Sequence, residues 1–186
     1  MPDVLILSGP PGAGKSSVAE ALGERYDRVA HVNVDTLTEF ITPTGRVHPW
    51  GKPELWARQE ELIDHVACAA ALEFLKQRFA VIIDWVIIQD WHLERYVDLL
   101  RPAGDPIHFV CLLPSLAACQ ERNAARPRDV RMRPERIETV YREYETAGDI
   151  GGATIDSTGL SVYETADRLQ GLTTSGASLV WRPEAH

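Results

Sequence analysis

Residues 9–17 (GPPGAGKSS) fit the P-loop pattern, in which a glycine-rich turn leads into Lys-Ser. Glycines allow backbone N–H groups to turn towards phosphate oxygens, and the start of the following helix adds partial positive charge. Lys15 can reach the terminal phosphates, and the Ser16 hydroxyl can ligate Mg²⁺. The segment therefore predicts a site for a nucleoside triphosphate with Mg²⁺. The expected phosphate-binding residues are Gly9, Pro10, Pro11, Gly12, Ala13, Gly14, Lys15, Ser16 and Ser17.

A second basic segment, residues 121–136 (ERNAARPRDVRMRPER), places six arginines in a chain whose formal net charge is -8. Exposed like charges repel one another, so a bound polyanion would make such a cluster favourable. Arg122 and Arg126 stand four residues apart, on one face of a predicted helix. We expect residues 122–136 to form a lid, with Arg122 and Arg126 stabilising charge on a transferred phosphoryl group. The alternative is a solvated face whose arginines pair with Asp129, Glu135 and Glu138.

Two aspartates follow predicted strands. Asp35 comes after the strand 29–34, where its carboxylate could accept the proton of a substrate hydroxyl that attacks a γ-phosphate. Its alternative role is the N-cap of the next helix. Asp84 ends the apolar run VIID, where a carboxylate could help to hold Mg²⁺ or contact the acceptor. Its alternative role is that of a hydrogen-bonded structural aspartate.

An irregular segment and the residues after the third strand could form an acceptor pocket. The stretch TPTGRVHPWGKP contains three prolines and two glycines, which oppose regular structure, so we expect an inserted cap over residues 42–60. For any single aromatic residue here, ordinary packing is the commoner role. The residues expected to contact the acceptor are Asp35, Arg58, Asp84 and Trp85. Other residues of the same two regions are Arg46, His48, Trp50, Trp56, Gln89, Asp90 and Trp91.

Strands and helices alternate along the chain. Predicted strands cover residues 4–7, 29–34, 79–88, 107–113 and 151–155, and predicted helices cover 15–25, 35–41, 53–77, 90–100, 115–125, 134–147 and 162–169. Parallel strands need crossover connections, so this alternation predicts an α/β fold with helices on both faces of a parallel sheet. The ligand site is expected at the carboxyl edge of that sheet. We expect one domain over residues 1–170 and a tail over 171–186, with fraying at its last residues; the alternative is that Leu179 to Trp181 dock as a clasp or an edge strand.

Composition narrows the class of protein. The chain has 186 residues, of which 45% are hydrophobic and 25% charged, as in ordinary globular domains. Its acidic balance disfavours a dedicated duplex-binding surface. No basic leader and no apolar run of membrane-spanning length is visible, so the cytoplasm is expected, with no membrane partner. Three cysteines lack CxxC spacing and are expected as buried thiols, and the histidines show no zinc-ligand spacing. No pattern in the sequence defines an oligomeric state.

These motifs together resemble P-loop kinases of the nucleoside-monophosphate-kinase-like fold, over about residues 3–170. The similarity is greatest to the AAA-type small-molecule kinases that include chloramphenicol phosphotransferase and gluconate-kinase-like proteins. It implies a three-layer α/β/α fold with a five-stranded sheet in the order 2-3-1-4-5, with Asp35 as the base. It also implies that Ser157 and Thr158 lie beside the adenine. The segments that carry the resemblance are GPPGAGKSS, VNVDTL, VIID, ERNAAR and ATIDST.

The expected function is transfer of the γ-phosphate of ATP, with Mg²⁺, to a hydroxyl of a small-molecule acceptor. A 5′-hydroxyl kinase for polynucleotides is an alternative, because those enzymes share an aspartate after strand two and an RNxxR segment like that of Arg122 to Arg126. The net negative charge of the chain makes nucleic acid the less favoured partner. A nucleotide-binding regulatory ATPase without an acceptor is a third hypothesis.

Overall fold

Two apolar runs, around Ile6 and Ile82, form neighbouring strands in the interior of the sheet. A computed structural model describes residues 4–48 and 50–184 of the chain. The strands are β1 (Val4–Ser8), β2 (Val29–Asn33), β3 (Ala80–Asp84), β4 (Ile107–Leu112), β5 (Ala153–Ile155) and β6 (Leu179–Trp181). The α-helices are α1 (Lys15–Gly23), α2 (Val34–Glu39), α3 (Pro53–Lys76), α4 (Asp90–Leu100), α5 (Leu116–Ala124), α6 (Pro134–Ala147) and α7 (Val162–Ser175). Short 3₁₀ turns occupy Arg101–Ala103 and Arg128–Val130.

The sheet has the order β2-β3-β1-β4-β5, and these five strands are parallel. The predicted order and the three-layer α/β/α architecture are therefore confirmed. Alternate residues of β1 enter two cores. Val4 and Ile6 belong to the core that includes buried residues of α3 and α4, whereas Leu5 and Leu7 belong to the core that includes residues of α1 and α7. All five β1 residues are fully buried because both faces of the sheet are covered.

A sixth strand extends the predicted sheet. β5 pairs only with Val110 to Leu112, so the earlier part of the same edge of β4 is left for another strand. β6 takes this place and pairs antiparallel with Ile107 and His108. The His108 Nδ1 lies 2.9 Å from the Ser178 hydroxyl, which adds a buried contact beside the pairing. The boundary expected at residue 170 lies inside α7, and the fraying expected at the last residues falls on residues 185–186, which lie outside the described residues.

The end of β2 differs from the prediction. β2 ends at Asn33, and Asp35 lies in the first turn of α2 rather than at the end of the strand. Asn33 is the N-cap, since its side chain accepts a hydrogen bond from the Thr36 N–H at 3.4 Å. The alternative role of Asp35 as the N-cap is therefore wrong. Its carboxylate is free of that contact.

The three cysteines, Cys68, Cys111 and Cys119, are buried and unpaired, as expected. Burial raises the pKa of the Cys111 thiol to about 12, although the charge of Lys15 opposes this effect. A thiol with so high a pKa is poorly nucleophilic near neutral pH. Across the described ranges, no helix combines the length and the apolar character needed to cross a membrane.

Candidate active site

The P-loop follows β1 as a tight turn in which two glycines are sterically required. Gly9 and Gly12 have φ angles of 143° and 85°, which favour glycine. A Cβ atom at Gly9 would lie 2.2 Å from the Leu112 carbonyl oxygen, and one at Gly12 would lie 2.3 Å from that of Cys119. The loop backbone therefore packs directly against the end of β4 and against α5. No side chain could be added at either position without moving that backbone.

The start of α1 is open for an anion. Gly14 is its N-cap and supplies no side-chain hydrogen bond, and the first turn contains no acidic residue. The first N–H groups of a helix have no partner within the helix, so they can bind phosphate oxygens. The Lys15 ammonium group donates to the Gly9 carbonyl at 2.9 Å, which holds this cation across the loop. The geometry fits the phosphate cradle that the sequence predicts.

Ser16 and Asp84 meet at the carboxyl edge of the sheet. The Ser16 hydroxyl donates to Asp84 Oδ2 at 2.6 Å, and the Asn33 amide donates to the Ser16 hydroxyl at 3.5 Å. Asp84 is 4% exposed. Burial raises the pKa of Asp84, but the neighbouring His31, Lys15 and Ser16 together outweigh it and lower the pKa below its ordinary value. The carboxyl group is therefore kept ionised beside a hydroxyl.

This pair suits Mg²⁺ by its donor chemistry. Mg²⁺ prefers oxygen ligands and is commonly held by one or two protein groups together with substrate phosphates. Among the described residues, no group of three or more His, Cys, Asp and Glu side chains could enclose a metal ion. Ser16 and Asp84 lie beside the phosphate cradle, where a ligand could complete the coordination. The residues present therefore fit a nucleotide-linked Mg²⁺ ion.

Arg122 connects the arginine segment to the P-loop. Its guanidinium group donates to the Ala13 carbonyl at 3.0 Å and to the Ser157 carbonyl at 2.8 Å. Nη1 also lies 3.9 Å from the position that a Cβ atom of Gly14 would occupy. One of the predicted cationic residues therefore lies against the anion cradle, although it follows Ala13 by 109 residues and only the fold brings the two together. The contact joins α5, the P-loop and the segment after β5.

A buried amide side chain, that of Asn123, joins the two ends of the loop between α5 and α6. Asn123 is 4% exposed; its side chain donates to the Met132 carbonyl at 2.8 Å and accepts from the Met132 N–H at 3.0 Å. This pair of hydrogen bonds closes the connection between α5 and α6 into a loop. At the start of α6, the Arg136 guanidinium lies 4.2 Å from the ring centroid of Trp50, so the lid also contacts the inserted cap.

The solvated-face alternative for these arginines finds no support in the ion pairs. Among those of the described residues, none joins a lid arginine to Asp129 or Glu135, and Glu138 pairs with Arg142 of α6 instead. Arg128, Arg131 and Arg133 are exposed on the loop. Arg126 differs from these three because it lines a large cavity.

That cavity, which we call the acceptor cavity, has a volume of about 580 Å³. Pro11 of the P-loop, Asp35 of α2 and Arg126 line it together, so it adjoins the P-loop. Its size falls within the range of small-molecule sites. Four tryptophans and four carboxylates also contribute to the lining: Trp50, Trp56, Trp85, Trp91, Asp35, Glu39, Glu60 and Glu143.

Asp35 experiences charges from both sides of the cleft. Part of its side chain is open to solvent, yet the surrounding cavity walls desolvate the carboxyl group, and this is the largest cause of its raised pKa. Lys15 and Arg126 lower the pKa, whereas Asp84 and Glu39 raise it further. Asp35 is therefore close enough to the phosphate cradle and to the lid to respond to both.

The structure brings together most of the predicted residues but not all of them. Trp85 lines the acceptor cavity and is 6% exposed. Arg58 is exposed on α3 and is not among the residues that line the cavity. Ser157 is 2% exposed and lies 3.4 Å from Arg122, while the Thr158 hydroxyl accepts from the Ser115 N–H at 2.7 Å. The segment expected beside the adenine thus adjoins Arg122 and the N-cap of α5.

The hydroxyl groups of Ser8 and Tyr144 form a buried pair that the sequence did not predict. The Tyr144 hydroxyl accepts from the Gly9 N–H at 3.1 Å and lies 2.9 Å from the Ser8 hydroxyl. The Ser8 hydroxyl accepts from the Ile87 N–H and donates to the Ile87 carbonyl, each at 2.9 Å. The network joins α6, the P-loop and the segment after β3. No local pattern marks Tyr144, because its partners are 135 and 136 residues away.

The fold and the P-loop site place this protein in the class of kinase-like P-loop proteins. Residues 4–146 match the model of the family AAA_33, described as AAA domain, and the chain belongs to that family. Among curated proteins, none matches the chain significantly in sequence.

Solved structures share the fold at low sequence identity. The tunicamycin resistance protein of Deinococcus radiodurans is 21% identical, with 97% of this chain and 99% of that chain covered and a TM-score of 0.61. A gluconokinase from Sinorhizobium meliloti 1021 is 22% identical, with coverage of 94% and 93% and a TM-score of 0.61. A chain of the Pnkp1/Rnl/Hen1 RNA repair complex is 23% identical, with coverage of 77% and 44% and a TM-score of 0.62.

Proposed function

We propose that this protein is a kinase that transfers the γ-phosphoryl group of ATP, with Mg²⁺, to a hydroxyl group of a small molecule. One observation carries the proposal: a cavity of about 580 Å³ is lined by Pro11 of the P-loop, by Asp35 and by the lid residue Arg126. An acceptor hydroxyl in this cavity would meet a base and a cation beside the phosphate cradle. A nucleotide-binding regulator without an acceptor has no need for such a cavity.

The phosphate side would hold the nucleotide. The open N–H groups at the start of α1 and the ammonium group of Lys15 would bind the β- and γ-phosphates. Ser16 and Asp84 would hold Mg²⁺, which when bound neutralises phosphate charge. Ser157 and Thr158 are proposed to lie near the adenine, on the side of the P-loop that Arg122 contacts.

On the acceptor side, Asp35 would accept the hydroxyl proton as that oxygen attacks phosphorus. Arg126 would stabilise charge on the moving phosphoryl group, because it lines the cavity and acts electrostatically on Asp35. Arg122 already uses its N–H groups on the carbonyl oxygens of Ala13 and Ser157, so it would position the P-loop and add positive charge there.

The first test is Asp35→Asn, with Asp27→Asn as a matched control on the exposed turn after α1. General base catalysis contributes about 10²- to 10⁴-fold, so we expect phosphoryl transfer to fall by at least about 100-fold. The affinity for MgATP, measured by calorimetry, should change less than about threefold, because Asp35 lies outside the P-loop. Transfer would be followed with γ-labelled ATP and a panel of sugars, aminoglycosides, nucleosides and 5′-hydroxyl oligonucleotides. Full transfer by Asp35→Asn would contradict the proposed role.

A polynucleotide 5′-kinase is the second candidate, favoured by the structural similarity to a chain of an RNA repair complex. Glu39, Glu60 and Glu143 line the acceptor cavity and would repel a phosphate backbone. The salt dependence of binding separates the two candidates. If cations of the protein neutralise several phosphates of an oligonucleotide, its binding weakens steeply as the salt concentration rises. Binding of an uncharged small molecule does not.

A further inference from the structure

The edge strand β2 lies beside the two residues that are proposed to hold Mg²⁺. Ala30 and Val32 of this strand enter the core that includes residues of α3 and α4. Side chains alternate along a strand, so His31 and Asn33 face the other side of the sheet. In the register of β2 and β3, Asn33 pairs with Asp84. β2 therefore presents two polar side chains on the face where Asp84 meets α1.

The Ser16 hydroxyl group has nearly all of its hydrogen-bonding capacity in use. A hydroxyl has one proton to donate and two positions at which it can accept. Ser16 donates its proton to Asp84 Oδ2 at 2.6 Å and accepts from the Asn33 amide at 3.5 Å. One acceptor position is then left for a metal ion. Asn33 also accepts from the Thr36 N–H, so the start of α2 holds the same amide in place.

His31 contacts the same oxygen of Asp84 as Ser16 does. His31 Nε2 lies 3.5 Å from Asp84 Oδ2, which is an electrostatic contact rather than a hydrogen bond. Within the described residues, this buried nitrogen has no hydrogen-bond partner. Burial raises the pKa of Asp84, and of the neighbours that together lower it below its ordinary value, His31 has the largest effect. A buried N–H group without a partner is costly, so a small movement of the carboxylate towards His31 would be favourable.

A site for Mg²⁺ depends on the orientation of its ligands. Mg²⁺ requires nearly octahedral coordination with short bonds to oxygen, so a ligand that rotates out of place loses affinity. Partners that orient the ligands without touching the metal typically contribute about 10- to 100-fold to metal affinity. Ser16 and Asp84 have two such neighbours, and both come from one strand.

We infer that His31 and Asn33 are positioning residues for the Mg²⁺ site. His31 fixes the orientation of the Asp84 carboxylate. Asn33 holds the Ser16 hydroxyl so that one acceptor position faces the metal. This inference rests on the proposed function, because that function places Mg²⁺ at Ser16 and Asp84.

Two other roles for His31 lead to different expectations. His31 is not among the described residues that line the acceptor cavity, so recognition of the acceptor does not explain its position. If His31 acted as a cation beside the metal, its removal would strengthen Mg²⁺ binding, because like charges repel. A positioning residue has the opposite effect, since its removal weakens Mg²⁺ binding. The sign of the change therefore separates the two roles.

The experiment compares two amides at position 31 that differ in reach. Gln can place an N–H donor near the position of His Nε2, whereas the side chain of Asn is too short. Binding of a non-hydrolysable ATP analogue to the full chain is measured by calorimetry in EDTA and at a series of Mg²⁺ concentrations. We expect His31→Asn to weaken Mg²⁺ binding to the complex by about 10- to 100-fold, and His31→Gln by less than about threefold. The affinity for the analogue in EDTA should stay the same in both variants.

Asn33→Ser tests the second residue. Ser is also a favoured N-cap residue, so the start of α2 is kept, but its side chain is too short to reach Ser16. We expect Mg²⁺ binding to weaken by about threefold, the effect of one weak hydrogen bond. His65→Asn, at an exposed position on α3, is the control for the substitution at position 31. Melting temperatures check that each variant folds, and His31→Leu replaces His31→Asn if the latter does not.

Unchanged or tighter Mg²⁺ binding by His31→Asn, or equal losses in His31→Asn and His31→Gln, would overturn the role of His31. Unchanged binding by Asn33→Ser would overturn that of Asn33. Phosphoryl transfer by the wild-type chain is measured separately. Mg²⁺-dependent binding without transfer to any acceptor would refute the kinase and leave the metal comparison valid, whereas nucleotide binding that does not depend on Mg²⁺ would refute both.

Discussion

The phosphate side and the acceptor side of the cleft differ in how their polar groups are satisfied. Lys15, Ser16 and Arg122 each hydrogen-bond to another residue of the chain. On the acceptor side, Arg46 and Trp85 keep buried N–H groups without a partner in the described residues. The polar groups of the cradle are therefore held in place before binding, whereas the two buried donors on the acceptor side carry an uncompensated desolvation cost.

The largest effect is expected from removing the cation between the two sides. Arg126→Ala should lower kcat by about 10²- to 10³-fold, because a developing negative charge loses its stabilising group. Arg128→Ala is the matched control, since Arg128 is exposed on the same loop and does not line the cavity. Steady-state kinetics with saturating MgATP check this prediction. Equal losses in both variants would indicate a general effect of lid charge.

A smaller effect is expected from the network that joins the two sides. Tyr144→Phe leaves the Gly9 N–H without its acceptor, which should cost about 1–3 kcal/mol in the free energy of unfolding. Because Gly9 also holds Lys15, we expect a rise in the KM for MgATP as well. Urea denaturation and kinetics measure the two effects. The control is Tyr163→Phe, the same change at a side chain that is 59% exposed.

The pH dependence of the reaction tests the charges on Asp35. Its raised pKa places the acid limb of kcat/KM above the pH expected for an ordinary aspartate, since activity is lost as the carboxylate is protonated. Arg126 lowers that pKa and Glu39 raises it. Arg126→Ala should therefore move the limb to higher pH and Glu39→Gln to lower pH. Shifts in the same direction would contradict the assignment.

The smallest effect is expected at Arg58, which was predicted to contact the acceptor. Its exposed position on α3, outside the cavity lining, leads us to expect less than about a twofold change in kcat/KM for Arg58→Ala. Arg46→Ala, in the same insertion, is the informative comparison. A large loss at Arg58 would show that the cavity extends further along α3.

The parts of the site that the sequence could predict are those with local signals. The P-loop is one continuous motif, and its glycines are required by backbone contacts that any such turn makes. Asp84 could be predicted as a site residue because it ends an apolar strand, and the carboxyl ends of parallel strands lie at the edge of the sheet where ligands bind. The strand end before Asp35 was mispredicted, although a signal existed: Asn33 is a favoured N-cap residue and stands three residues before Thr36.

The sequence by itself determined the alternation of elements, the phosphate cradle and the presence of an arginine-rich segment, because these depend on periodicity and on residues close together in the chain. Only the tertiary structure decided that Arg122 contacts the P-loop, that Tyr144 joins three segments, and that Arg46 and Trp85 share one cavity. Contacts between residues far apart in sequence depend on how helices pack across the sheet, and no local pattern encodes that packing.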